Sequence, residues 1–251
     1  MTLATGNTRA EELLAQDKML NKLAAAFRKE LAGEIAKASA RMLAEWLKTG
    51  KVPPAKVHRA ELNAVYSKAL TNSILTAANR IQRVAKAGAG PDETKDFASV
   101  MATFALRYVA SEAIRKRITS VSDTTRATIV EGVRLGFEAG LGQDGVGRAI
   151  RDRIPSVSRR RANLIARTET HGAANAGADA AIREEGLEYR REWMAGSDAR
   201  TRDSHRRADG QDVGADEPFS VGGTRLMYPG DPGGRASEVI NCRCSVAFVI
   251  V

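Results

Sequence analysis

The chain has 251 residues, 43% hydrophobic and 27% charged, enough apolar material to bury a core in one or two domains and too much for a disordered polymer. Its formal charge is +9, from 39 basic and 30 acidic residues, and no apolar run is long enough to cross a bilayer. The first fifteen residues lack a secretion signal, because Glu11 and Glu12 interrupt any basic-then-apolar order; a soluble, cytoplasmically made protein is expected. Two cysteines in such a compartment point to thiols or metal ligands rather than a disulfide.

In chain order, Leu20, Leu23, Phe27, Leu31, Ile35, Met42 and Trp46 recur at helical spacing and predict one long amphipathic helix from Glu11 to Leu47. Gly50 and Pro53-Pro54 stop it. A second helix carries Leu62, Val65, Ala69, Ile74, Ile81 and Val84 and ends at Gly88-Ala89-Gly90-Pro91. Asp92 is placed to cap a third, from Phe97 through Met101, Phe104, Tyr108 and Ile114 to Ile118. Ser122 or Asp123 then caps a fourth through Ile129, Val133 and Phe137. A short fifth helix holds Val146 and Ile150 and stops at Pro155, and Ser156 or Ser158 starts a sixth that runs towards Ile182 and closes at Gly186.

Beyond Gly186 the period shortens. Tyr189–Met194, Glu217–Val221, Arg225–Tyr228 and Cys244–Val251 read as short strands separated by Gly, Pro and Asp turns. The last is nearly all apolar and fits a strand buried on both faces, in the middle of a small sheet. The fold class is α+β: an extended N-terminal region of five to six helices, then a small C-terminal domain with a short, mainly antiparallel sheet. The divisions expected are 1–120 for the helical region, 121–187 for helices belonging to or leading into the final unit, and 188–251 for that unit.

Charge divides along the same line. From Glu188 onward nine Arg face ten acidic residues, whereas the preceding part carries the whole positive excess. Arg148, Arg151, Arg153, Arg159, Arg160, Arg161 and Arg167 crowd one segment against the single acid Asp152. Such a row meets phosphates or an acidic protein surface, or is simply a solvated helix face. No aromatic residue interleaves it, which argues against base stacking on single strands.

Three groups of residues carry candidate chemistry. Cys242 and Cys244, two apart, project to one face of an extended segment and, with His205 and His171, offer the thiolate and imidazole ligands of a structural zinc site. Two thiols beside a hydrogen-bonded histidine are the plainer alternative. Asp198, Arg200, Arg202, Asp203 and His205 form either a rigid ion-pair loop or a hydrolytic site with His205 as base. Ser197 and Ser204 lack the Gly-x-Ser-x-Gly turn of serine hydrolases, which favours the structural reading. Arg167 and Glu169 lie on the connecting helix, where Arg167 is expected to reach an acidic loop such as the one at Asp198 and clamp helix to sheet. No Gly-rich phosphate loop accompanies them.

The order of these pieces is more specific than any one of them. Ile165-Ala166-Arg167-Thr168-Glu169 is followed by Ala174-Asn175, Trp193, the Asp198–His205 loop, Gly210 and Pro218-Phe219. Tyr228-Pro229-Gly230-Asp231-Pro232 and Asn241-Cys242-Arg243-Cys244 complete the series. This order resembles the phage Mu F-like family of head morphogenesis, or minor capsid, proteins over about Thr125 to Val246. The resemblance implies a non-enzymatic virion component present in several copies in the capsid interior or at the portal and neck, and in host cytoplasm during assembly. It implies the portal protein, other capsid or neck proteins and packaged double-stranded DNA as partners, with no membrane, and a role in procapsid assembly and in DNA packaging or ejection. Some members of the family carry a toxin or enzyme domain after the shared part; the end of this chain inside its last strand predicts none. It carries Cys242, Cys244 and His205 over as family positions; Glu169 and Trp193 are expected to join Arg167, Asp198, Arg200, Arg202 and Asp203 in one structural network. The helical region 1–120 is expected to contact the portal or a neighbouring copy through its Leu20–Trp46 stripe. A basic DNA-binding accessory protein and a metal-dependent hydrolase are the alternatives.

Overall fold

The computed structural model describes residues 9–88, 97–196 and 198–251. The predicted second-helix stop at Ala89-Gly90-Pro91, the Asp92 cap and Ser197 lie outside these residues. Helix α1 spans Arg9–Thr49, and Gly50 follows it in a left-handed conformation (φ 71°) that ends the helix without Cβ strain. A 3-10 turn at Ala55–His58 leads into α2, Arg59–Gly88. Helices α3 (Phe97–Val109), α4 (Glu112–Glu138) and α5 (Gln143–Glu184) follow.

Two helix boundaries differ from the sequence reading. The third predicted helix breaks at Ala110-Ser111, where the Ser111 hydroxyl accepts the Ile114 N–H at 3.4 Å and starts α4. Ser122 and Asp123 are therefore interior residues of α4. Ser122 donates to the Ala55 carbonyl at 2.7 Å and Asp123 pairs with Arg59 at 3.1 Å, so both tie α4 to the start of α2. Pro155 does not end a helix: α5 runs through it for 42 residues. A proline removes one hydrogen bond, and the packing of α5 along α1, α2 and α4 outweighs that loss.

The stripe of α1 is consumed inside the chain. Leu20, Phe27, Leu31, Ile35, Met42 and Trp46 are all buried. Phe27 meets Tyr66 edge-on at 5.2 Å, and Met42, Leu43 and Trp46 close on Ile129, Val146 and Ile150 of α4 and α5. One apolar cluster runs from Phe27 through α2, α3, α4 and α5 into the strands at Trp193, Phe219 and Phe248. The expected division at 120/121 falls inside α4. Close approach of α2 and α5 depends on Gly177: a Cβ there would sit 2.6 Å from the Ile74 carbonyl oxygen.

After α5 come β1 (Tyr189–Met194), α6 (Asp203–Ala208), β2 (Asp212–Gly214), β3 (Phe219–Val221), β4 (Thr224–Leu226), α7 (Ala236–Val239) and β5 (Ser245–Ile250). The order β2-β1-β5 is antiparallel throughout, with Tyr189 opposite Ile250 and Met194 opposite Ser245; β3 and β4 form a separate hairpin across Gly222-Gly223. This is the expected α+β arrangement, with one correction: β1, not the apolar β5, is central. Strand β5 packs one side on α5 and leaves Ala247, Val249 and Ile250 half-buried, so its apolar run reflects an edge covered on one face. Strand β2 is too short to leave a periodic trace in the sequence. No single helix among the described residues is long and apolar enough to cross a membrane.

Candidate metal centre and arginine face

Helix α5 grips the C-terminal unit at several points. Arg167 donates to Asn241 Oδ1 at 2.9 Å, and the Asn241 N–H donates to Thr168 Oγ1 at 2.9 Å. Two turns further, Asn175 donates to the carbonyls of Pro229 (2.9 Å) and Cys244 (3.2 Å). Between these contacts the helix lies directly against the Gly230 turn: a Cβ on Gly172 would meet the Gly230 oxygen at 2.7 Å, and Gly230 itself is left-handed (φ 83°). Arg167 thus clamps the helix to the cysteine turn, not to Asp198 as expected.

The cysteine turn brings Cys242 and Cys244 against α6. His205 Nδ1 lies 3.2 Å from Cys244 Sγ and 3.7 Å from Cys242 Sγ. Its Nε2 lies 3.2 Å from Glu238 Oε2, which also accepts from Ser204 Oγ at 2.8 Å. All three ligand-type residues are 2% exposed, and their ligand atoms lie within 4.8 Å of one another. Trp193 meets the His205 ring edge-on at 5.6 Å and Phe219 at 5.4 Å, which fixes the imidazole from its flank. The contact between the two sulfurs raises the Cys242 thiol and lowers that of Cys244.

The Asp198 loop forms part of the expected ion-pair network. Asp198 receives the Arg243 guanidinium on both oxygens, plus the backbone N–H of Arg200 at 2.9 Å and its guanidinium at 3.2 Å. The Arg243 hydrogen bond, first among these, holds the Asp198 carboxyl down to about 2. Arg202 instead donates to the Ile240 carbonyl, and Asp203 pairs with Arg206 inside α6. An open cleft of about 930 Å³ separates this loop from Leu13, Leu14 and Asp17 on α1, with Arg167, Arg206 and Arg243 on its walls.

Other expected members stand elsewhere. His171 is buried in α5, outside the His205 cluster, and neither ring nitrogen has a hydrogen-bond partner among the described residues. Burial, then Arg167 and Arg243, lower its pKa to about 3, so it is neutral. It does not join the cysteines: the contacts of α5 to the turn that holds them are made by Arg167, Thr168 and Asn175. Glu169 is not in the Asp198 network either: it is buried against Arg117 of α4 at 2.8 Å, and desolvation raises its carboxyl despite that pair.

Arg148, Arg151, Arg153, Arg159 and Arg160 are exposed on α5, and none of these guanidinium groups has a partner among the described residues. Arg161 leaves the row: it is half-buried and bonds Thr125 Oγ1 (3.0 Å) and the Val121 carbonyl (3.1 Å), tying α5 to α4.

Sequence reasoning missed the most buried cation. Arg191 of β1 is fully enclosed, pairs with Asp179 of α5 at 3.0 Å and donates to the carbonyls of Met227 (2.7 Å) and Gly214 (3.3 Å). Its only sequence signal is a charged residue at an inward register position, two before Trp193. Glu238, which holds His205, carries no signal beyond lying in the short acidic turn before Cys242.

The connecting helix, the sheet and the cysteine–histidine turn together make up the segment that is similar to a family of phage proteins. Residues 127–247, from the middle of α4 to β5, match the family model of Phage Mu protein F like protein, so that segment is similar to the family. The residue order implied this resemblance. The chain is 34% identical over 125 residues to the minor head protein of Bacillus phage SPP1, covering 49% of this chain and 40% of that protein. It is 29% identical over 145 residues to an NAD(+)–arginine ADP-ribosyltransferase of Enterococcus faecalis, covering 57% of this chain and 29% of the enzyme. An uncharacterized Bacillus subtilis protein is 26% identical over 140 residues, covering 54% and 46% respectively. The chain thus spans less than half the length of each of these relatives. No solved structure matches it.

Proposed function

We propose that this chain is a phage head morphogenesis protein, a minor capsid component that enters the assembling head in low copy beside the portal and assists DNA packaging or ejection. The observation that carries the reading is the family match over 127–247 together with 34% identity to a minor head protein. The stretch shared with the ADP-ribosyltransferase is under a third of that enzyme; the chain acts here as a structural part, not as a catalyst. The apolar stripe of α1 is spent on the chain's own core, so the contact surface is the arginine face of α5, which meets acidic portal surface or packaged duplex.

The test is co-expression with portal and major capsid proteins, followed by purification of heads. The chain is expected in purified heads at a few copies each, and in complex with the portal when the capsid protein is omitted. Heads that assemble at full yield without incorporating it would overturn the reading. Tight duplex binding by the purified chain, without portal or head binding, would favour the DNA-binding accessory protein instead.

A further inference from the structure

We propose that His205, Cys242 and Cys244 bind one zinc ion that staples α6 to the turn before β5. The donor set is what zinc takes: two thiolates and one imidazole. Zinc–sulfur bonds of about 2.3 Å and zinc–nitrogen bonds of about 2.0–2.1 Å at the tetrahedral angle put sulfur and nitrogen about 3.5 Å apart. The two separations in this chain, 3.2 and 3.7 Å, straddle that edge length. Each nitrogen–sulfur pair therefore fits one ion with a shift of a few tenths of an ångström, and the three ligand atoms lie within 4.8 Å of one another.

The surroundings are those of a ligand set. Glu238 accepts from Nε2–H, which leaves Nδ1 with a free lone pair aimed at the sulfurs; a carboxylate behind a ligating histidine fixes both its tautomer and its orientation. The Cys244 backbone N–H points at Cys242 Sγ at 3.4 Å, a contact that favours sulfur as an anion. Asn241 takes a left-handed conformation (φ 60°), and the chain reverses there to present both sulfurs on one side. Charge also balances. Zinc displaces two thiol protons to solvent and leaves a dication with two thiolates and a neutral imidazole, a net neutral group suited to burial.

Among the described residues no fourth His, Cys, Asp or Glu joins the three, which leaves the fourth position of the tetrahedron to a water molecule. Three protein ligands and a water also occur in catalytic sites. Here the Glu238 carboxylate lies behind the ring, away from the sulfurs, and none of the three ligands lines the cleft beside Asp198. The ion is a staple for a small sheet with long connections. The site holds whether or not the chain enters a phage head, since every ligand belongs to this chain.

The experiment is elemental analysis of the full chain, purified with reductant and without chelator from zinc-supplied cells. One zinc per chain is expected. Replacing the ion with cobalt should give thiolate charge-transfer absorption and the intense visible bands of a tetrahedral site. Cys242→Ser and Cys244→Ser should lose the metal; because either variant is at risk of misfolding, Glu238→Gln serves as the milder probe, with zinc affinity expected to fall about 10–100-fold. Removing zinc from wild type with a strong chelator should lower Tm, and added zinc, not magnesium, should restore it. The proposal is overturned by metal-free wild-type protein, by a Cys242–Cys244 disulfide in freshly isolated chain, or by full zinc occupancy in Cys242→Ser.

Discussion

Arg191 and Asp179 meet at 3.0 Å between β1 and α5, with the arginine side chain wholly out of solvent. The guanidinium also lies over the Phe219 ring, 5.5 Å from its centroid. One cation therefore joins the connecting helix, the central strand and the loops at Gly214 and Met227. Its planar donors serve acceptors in several directions at once, which a lysine cannot do.

Removing Asp179 leaves the buried Arg191 cation without a carboxylate, and removing Arg191 leaves Asp179 with Arg183 alone, at 3.1 Å, and takes the donor from the Gly214 and Met227 carbonyls. Arg191→Ala or Asp179→Ala is expected to cost about 3–5 kcal/mol, and Arg191→Lys should recover only part of it. Urea unfolding followed by circular dichroism measures the loss. A midpoint for Arg191→Ala within error of wild type would show that the loops do not depend on this hub.

Gly177 makes a contrasting pair with Gly33. Gly177→Ala forces a methyl onto the Ile74 carbonyl and should destabilise by about 1–3 kcal/mol as α2 and α5 separate. Gly33→Ala, where a Cβ meets nothing within 4 Å in the middle of α1, should stabilise by up to about 1 kcal/mol. The two melting temperatures should move in opposite directions.

His171 sets part of the acid limit. Its folded pKa of about 3 lies below the ordinary 6.5. The unfolded chain then binds a proton that the folded chain refuses between those values, so stability is full above about pH 6.5 and falls as pH drops towards 3, by at most about 1.4 kcal/mol per pH unit from this group. His171→Leu should flatten the stability–pH curve in that window and leave it unchanged above pH 7. An unchanged acid slope would mean that the imidazole is reached by water.

The arginine face separates assembly from stability. Replacing Arg148, Arg151, Arg153, Arg159 and Arg160 with Gln should shift unfolding by no more than about 0.5 kcal/mol for each change, since all five are exposed and have no partner among the described residues. Incorporation into heads should drop sharply. If duplex DNA is the partner, wild-type binding should weaken steeply with salt and the substituted chain should show a flatter dependence. Loss of Arg161 should instead lower Tm, because it holds α4 to α5.

Much of the fold was legible because it rests on local periodicity. The α1 stripe from Leu20 to Trp46, the switch to short strands after Gly186 and the bounds of β1 follow from residue spacing alone. Misread boundaries involved signals with two meanings. Ser122 looks like a cap but donates across to Ala55, and Pro155 looks like a stop but sits in a helix held along its length by its neighbours. The site divided in the same way. Cys242, Cys244 and His205 were named from ligand chemistry, while His171 was grouped with them only because it has the same side chain.

The amino-acid sequence by itself determined the class of fold, the resemblance to the Mu F-like family and the choice of Cys242, Cys244 and His205 as a group, because these depend on residue type, order and short-range spacing. Tertiary structure alone decided that Glu238 stands behind His205, that Arg167 grips Asn241 while Glu169 turns away to Arg117, and that Arg191 rather than any surface charge anchors the sheet. These pairings join residues 33 to 74 positions apart in three of the four cases, and the fourth spans the turn from α5 into β1. Whether a charge is paired, buried or free is set by what the fold brings against it, and no local pattern encodes that.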